Sequence, residues 1–468
     1  MLTVGILLCY LLGLSVLLTI SRKYTLPELI GYSFLIGIGI ETFFLFFLDV
    51  LNIPYSQDLI IGVNILSITA LNGLNYKNLL QLKSEFKLPE TKLQQINFAA
   101  LFVFCFIAYL FYAITVKNLF WPPTEHDTIG SFDKLGRLMA LEGKLKISLF
   151  QYNLEGAGGV YPPLFHGSFA YVYIFGAETP KIITTLFFLS LLTTFYSLVR
   201  YYTDATVSML FTFILMITPE LFSHAALSLG NLPTTAYVGA GALATIIWID
   251  KRDEKFFWLG AVLMAFVIWI RSDTVVFTAA ALLIIGIDFL KTKDWKKTLV
   301  YGAIAVAPFI VWALYLKLKI ATPSTAGKFD LGMGYNAERM DVVGGYTKAF
   351  LFGGQKGAID GGQLYGIAFI LFFITLLVNL LFIYKDGVKE VLKDKMNVLI
   401  FFFVSFSMYF LLFYFINVAV QRAPIASLME SSFKRGLFCF IPVALFYVST
   451  SKASSWLFER VEKFRTAS

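Results

Sequence analysis

Glu125, His126 and Asp127 stand side by side directly after Trp121-Pro122-Pro123, in a chain that carries few charges. Carboxylates in such a place accept protons or orient a nucleophile. With an imidazole between them they also resemble part of a metal-ligand set. The chain has only three histidines, and the other two are His166 and His224. All three fall in or beside stretches that the loop charges place on one face of the protein. Together with Glu220 and the acids at 125 and 127 they are candidates for one polar pocket. Glu125, Asp127, His126 and His224 are the candidates for a divalent metal (Mg, Mn or Zn), although their spacing matches no compact metal motif. Each histidine has a plainer reading as a solitary interfacial side chain. Asp127 has one as the N-cap of the helix that follows, a position where Asp is strongly favoured.

Cations appear where they are costly. "WIRSDTVVF" (269–277) breaks a long apolar run with Arg271 and Asp273, and "ESSFKRGLF" (430–438) sets Lys434 and Arg435 at the mouth of the last apolar segment. These suit an anionic partner such as a phosphate. The alternatives are an Arg271–Asp273 interaction and interfacial anchoring by the basic pair.

The elements that position these residues follow from composition. Hydrophobic residues make up 58% of 468 positions and charged residues 15%, and the mean hydropathy is +0.74. Soluble domains are nearer one-quarter charged, about 25%. An all-α polytopic membrane protein is predicted, since helices satisfy their own backbone in lipid. The net charge of +8 is no nucleic-acid footprint, because the basic residues sit in short runs between apolar segments. Cys9, Cys105 and Cys439 lie within apolar stretches and form neither a disulfide framework nor a thiolate site. The first twenty residues read as a first span rather than a cleavable leader.

Candidate spans lie near 2–20, 29–50, 58–74, 98–116, 162–177, 181–199, 205–222, 232–249, 256–270, 274–290, 299–317, 364–384, 397–418 and 436–450. Basic runs mark the loop before 98 and those at 250–255, 291–297 and 385–395 as cytoplasmic, together with the tail from Lys452. Two long loops, about 117–161 and 318–363, then fall outside. Four candidate spans between the first outer loop and residue 250 are one too many. The expectation is that 205–222, with Pro219 near its end, bends back without crossing, which leaves about 13 transmembrane helices. Pro219 to Asn231 then faces outward beside Asp127.

Within the first outer loop, Ile129, Phe132, Leu135, Leu138 and Met139 recur at helical spacing, with Asp133 and Arg137 at i,i+4 on the other side and Gly143 as the stop. An amphipathic surface helix is predicted. Tyr161-Pro162-Pro163-Leu164 then opens the next helix. The second outer loop is rich in Gly and Tyr; Tyr335, Tyr346 and Tyr365 suit stacking on a sugar if the loop folds over as a lid.

This order of features resembles the GT-C class of membrane glycosyltransferases, particularly the bacterial relatives of protein O-mannosyltransferase and the lipid A aminoarabinose transferase. The likeness rests on the acidic outer loop, the surface helix, "YPPL" (161–164), "GNLPTTAY" (230–237) and the basic pair at 434–435. It covers roughly residues 98–450, with 1–97 adding three helices and 451–468 a cytoplasmic tail. The resemblance implies sugar transfer from a polyprenyl-phosphate donor to a lipid, glycan or protein acceptor at the outer face of the cytoplasmic membrane. By that likeness Asp127 accepts or orients the nucleophile's proton, with Glu125 as neighbour or substitute. Arg271, Lys434, Arg435 and His166 (or Lys181) bind the donor phosphate. His126, Tyr161, Glu220, His224, Asn231 and Tyr346 line the pocket. Asn231 stands where many relatives carry Asp, and Gly436 where Tyr is usual. Two other functions compete. A lipid-linked glycan polymerase or ligase relies on an Arg-rich outer loop, whereas this one has a single Arg, Arg339. A transporter or flippase is expected to place charges at mid-membrane, where Glu41 is the main acidic residue.

Overall fold

The computed structural model describes residues 1–77, 98–125, 127–145, 161–320, 329–330, 332–357, 359–392, 395–418 and 423–467. The chain is an all-α polytopic membrane protein: eleven helices are long and apolar enough to cross a membrane. The strand content among the described residues is a two-stranded hairpin, Gln355–Lys356 against Ile359–Asp360. Helices approach closely where small residues allow it. A β-carbon at Gly13 would lie 1.9 Å from the Ser33 carbonyl, and one at Gly37 would lie 2.0 Å from that of Cys9. Leu2–Ile20 and Leu26–Val50 therefore pack backbone to backbone, as small residues permit between membrane helices.

Polar contacts sort the helix termini into two ends. At one, the basic end, Lys255 donates to Glu28 (3.1 Å) and to the Lys23 carbonyl (2.9 Å), and Tyr201 donates to the same Glu28 at 3.0 Å. Tyr202 reaches Asp250 at 3.0 Å nearby. At the opposite end Asn118 donates to Thr185 and to the Ala225 carbonyl, both at 2.8 Å. There too Thr128 donates to the Ser228 carbonyl at 2.8 Å. The three N-terminal helices belong to the same bundle. Tyr237 donates to the Leu35 carbonyl (2.6 Å) and Tyr171 to that of Gly5 (2.7 Å).

The crossing pattern corrects one expectation. Ala205–Ile217 does not bend back. It runs from Asp204, beside the basic end, to Thr218 at the other, where Pro219 starts the short helix Pro219–His224. The segment that fails to cross is 162–177. Its helix, Leu164–Ile174, has 11 residues, about 16 Å of length against a hydrocarbon core of about 30 Å. Both its termini stay at one end. Phe165 lies against Gly230, while Tyr173 donates to Asp133 of the surface helix Asp133–Glu142. Composition could not tell an apolar helix buried against a surface helix from one buried in lipid. With Ala205–Ile217 and Glu254–Ile270, which are shorter, thirteen helices link the two ends among the described residues. Pro219 to Asn231 keeps its predicted place beside Asp127.

In a Cys105→Ser background, Glu178→Cys and Ser223→Cys should react with a membrane-impermeant maleimide from one side of the membrane, and Lys293→Cys only from the other. Labelling of positions 178 and 223 from opposite sides would contradict the surface placement of Leu164–Ile174.

Candidate active site

Four separate stretches of chain, with Tyr161 from a fifth, converge at the end of the bundle opposite the basic runs. The first is the turn after the proline pair. Asp127 stands at the N-cap position of the turn that follows, but it takes helical backbone angles and its side chain makes no capping hydrogen bond. A π turn, Thr128–Phe132, intervenes before Asp133–Glu142. The extra residue in an i→i+5 turn rotates whatever precedes it. Thr128 is buried and Ile129 is 53% exposed, while Leu135 and Met139 hold the buried face as predicted. Gly143 ends the helix with φ +65°.

The second stretch is Leu229–Asn231, at the N-terminus of the 21-residue helix Asn231–Lys251. The third is the turn at Arg271, where Glu254–Ile270 ends in extended backbone before a single 3₁₀ turn. The fourth is the start of the last helix, which is broken by a second π turn, Met429–Phe433, just before Lys434 and Arg435. π turns favour functional sites, and here one follows Asp127 and another precedes Arg435, the two halves of an ion pair.

That pair is Asp127 with Arg435, Oδ2 to Nη1 at 2.5 Å, the side chains 46% and 24% exposed. The guanidinium is held from behind by Nε donating to the Ser431 carbonyl at 2.8 Å. Beside it Arg271 is braced on two sides. Nε and Nη2 donate to Asp273 at 3.0 and 2.7 Å, and Nη1 donates to the Asn231 side-chain oxygen at 2.7 Å. Because Asn231 accepts through its oxygen, its amide nitrogen remains as a donor. The Arg271 guanidinium carbon also sits 5.8 Å from the Tyr161 ring centroid. Asp127, Arg435, Arg271, Asn231 and Tyr161 line one cavity of about 280 Å³. Ser131, Phe132, Leu229, Gly230 and Ser432 complete its wall. Positive charge, a helix N-terminus and one carboxylate thus face a space large enough for a phosphate and part of a sugar. Helix N-termini present unpaired N–H groups to anions.

The other predicted residues lie around this cavity rather than in its wall. Lys434 turns away from Arg435 toward Glu220, Nζ to Oε1 at 3.9 Å. Glu220 also pairs with His224 at 3.4 Å. Burial works to raise the Glu220 pKa. The His224 hydrogen bond and charge, with Lys434 and Arg435, outweigh it and hold the carboxyl below its ordinary value. His166 is buried in the Leu164–Ile174 helix, with no hydrogen-bond partner at Nδ1 among the described residues, and is not among the residues that line the cavity. Glu125 accepts from the Thr124 hydroxyl at 2.7 Å. Lys181 is buried at the start of its helix, with Glu125 and Lys117 the charges acting on it. His126 lies outside the described residues. Among the described residues no three His, Cys, Asp or Glu side chains come together to hold a metal ion.

The tyrosines of the second loop do not reach the cavity either. Tyr335 is exposed. Tyr346, on Ala337–Phe352, donates to Glu430 at 2.5 Å; that hydrogen bond, then burial, pushes its phenol up to about 12. Tyr365 is buried and donates to the Lys434 carbonyl. Both brace the start of the last helix. A residue missed in the sequence does the same. Tyr409 shares its hydroxyl proton between the carbonyls of Ser432 (3.3 Å) and Phe433 (3.2 Å). Its oxygen stands 1.9 Å from where a β-carbon at Gly436 would be. Position 436 is therefore glycine because the neighbouring helix fills its side-chain space.

Two outcomes follow. Gly436→Ala should destabilise the protein by about 1–3 kcal/mol through overpacking, read as a lowered melting temperature in detergent. Glu220→Gln should lower the melting temperature at pH 7. The depressed folded pKa means that the Glu220 contribution is present above the unfolded carboxylate value of about 4.3. It is lost as pH falls through the lower folded value, so the gap between variant and wild type should close on acidification. A gap that persists at a pH below that folded value contradicts the assignment. No protein-family model, curated protein sequence or solved structure matches this chain.

Proposed function

We propose that the protein is a membrane glycosyltransferase of the GT-C type. In this reading it moves a sugar from a polyprenyl-phosphate donor to a lipid, glycan or protein acceptor, at the outer face of the membrane. The observation that carries the reading is the cavity at one end of the bundle, where Asp127 faces Arg435 and Arg271 above the N-terminus of a long helix. The basic runs lie at the opposite end, which the charge bias of membrane proteins assigns to the cytoplasm.

A glycosyl phosphate has an anion as its leaving group, and its departure needs positive charge already in place. Arg435, Arg271 and the N–H groups near Gly230 and Asn231 supply it. The acceptor oxygen attacks the anomeric carbon from the face opposite the phosphate, with inversion. As the new C–O bond forms, the bond from that carbon to the phosphate oxygen breaks, and the electron pair leaves with the polyprenyl phosphate. Asp127 takes the acceptor's proton. Asp273 serves as a positioning residue, since its bidentate grip fixes the plane of the Arg271 guanidinium. Glu125 stands two residues from Asp127 and is the second candidate for the base.

Transfer is measured with a radiolabelled polyprenyl-phosphate sugar. Asp127→Asn should lower the rate by about 10²–10⁴-fold, the usual loss on removing a general base. Asp133→Asn, which alters the Tyr173 and Arg137 contacts on the other side of the surface helix, should leave it within a few-fold. An Asp127→Asn protein that transfers sugar at the wild-type rate removes Asp127 from the mechanism.

A further inference from the structure

The two arginines of the cavity are held in different ways. Arg271 is braced by Asp273 and Asn231, which leaves its position independent of Asp127. Arg435 is fixed to the backbone at Ser431, but its Nη1 is taken by Asp127 itself. In the proposed reaction these two groups have incompatible partners. A carboxylate bound to a guanidinium is a poor proton acceptor, and a guanidinium already neutralised at 2.5 Å is a weak phosphate ligand. Phosphate and carboxylate both match the guanidinium fork.

We propose that Asp127 and the donor phosphate compete for Arg435, so that donor binding releases Asp127 for the acceptor and the two substrates bind in a compulsory order, donor first. This inference rests on the transferase reading and adds to it. The structure supplies the means of release. Asp127 precedes one π turn and Arg435 follows another, and the pair is partly exposed to the cavity. Before the donor arrives, the base is masked and an acceptor or water finds no free carboxylate. Once the phosphate has taken Arg435, the Asp127 carboxylate no longer shares its charge with that guanidinium and becomes the better proton acceptor at the cavity wall. No new bond is needed for the switch, only an exchange of one anion for another on the same cation.

The competition makes an unusual demand: removing the catalytic charge should tighten donor binding. The test uses the full chain in lipid nanodiscs, with farnesyl phosphate as probe and farnesol as its uncharged control. Asp127→Asn should bind farnesyl phosphate about fivefold more tightly than wild type, the scale expected from one partly exposed ion pair. In an Arg435→Gln background the same substitution should give no gain, since the contested cation is absent. In the wild-type protein, farnesyl phosphate should speed backbone hydrogen exchange over residues 127–132, a readout that needs no variant to fold. Equal or weaker binding by Asp127→Asn, with exchange over 127–132 unchanged by the probe, would overturn the competition while leaving the transferase reading intact. Farnesyl phosphate binding no better than farnesol to any of these proteins would remove both.

Discussion

Taking an ammonium, guanidinium or carboxylate out of water costs on the order of several kcal/mol even after the protein relaxes. In a bundle of apolar helices that cost is met only by a partner already in place. At the basic end, Lys255 is buried against Glu28, with the Lys23 carbonyl and Tyr201 completing its hydrogen bonds. This contact ties the second helix to Glu254–Ile270, and so joins the N-terminal helices to the part of the chain that carries the cavity. At the other end the same constraint gives a different result. Arg271 has Asp273 and Asn231 as fixed partners, whereas Arg435, among the described residues, has the carboxylate across the cavity and a backbone carbonyl behind it. One guanidinium is therefore architecture and the other is exchangeable.

The fold class was legible because apolar runs of span length leave few alternatives, and the ends of the bundle were legible because lysine and arginine runs mark one of them. What failed was the choice between two short apolar segments. The 205–222 stretch is the more apolar of the two: Ala205–Ile217 is an apolar helix, whereas Leu164–Ile174 carries His166 and two tyrosines. They differ also in tertiary partners, since Phe169 packs on Gly136 of the surface helix while Ala205–Ile217 packs on its spanning neighbours. The higher hydropathy of 205–222 was the local signal for its crossing, and Pro219 outweighed it in the reading of the sequence. Proline pointed the wrong way. Pro219 starts a new turn after a completed crossing, and Pro162 and Pro163 open a helix that stays at one face.

The site divided along the same line. Asp127, Arg271, Arg435, Asn231 and Tyr161 were found from residue type and from the order of the loops, and they share one cavity. Lys434, His166 and Tyr365 carried equal promise in the sequence. They turn out to be occupied elsewhere: Lys434 with Glu220, His166 in the packing, and Tyr365 on a backbone carbonyl. Adjacent residues on a helix point about a third of a turn apart, so only one of the pair at 434–435 could face the cavity. The π turns that decide which one faces inward have no reliable sequence signature. Tyr409 was invisible for another reason, because its role depends on the absence of a side chain on a different helix at Gly436.

The short crossing helix has a consequence for the lipid around it. Ala205–Ile217 has 13 residues, a length of about 20 Å, beside a hydrocarbon core that is about 30 Å thick. It is only half-buried by its protein neighbours, so lipid lies along the rest of it. A bilayer meeting so short an apolar surface thins at that flank, or draws the polar stretch from Thr218 to Asn231 below the level of the surrounding headgroups. Either adjustment brings the phosphate plane of the nearer leaflet and the cavity floor toward one depth. A lipid-borne phosphate arriving along that flank would then meet the arginines by sliding sideways, without being lifted out of the membrane.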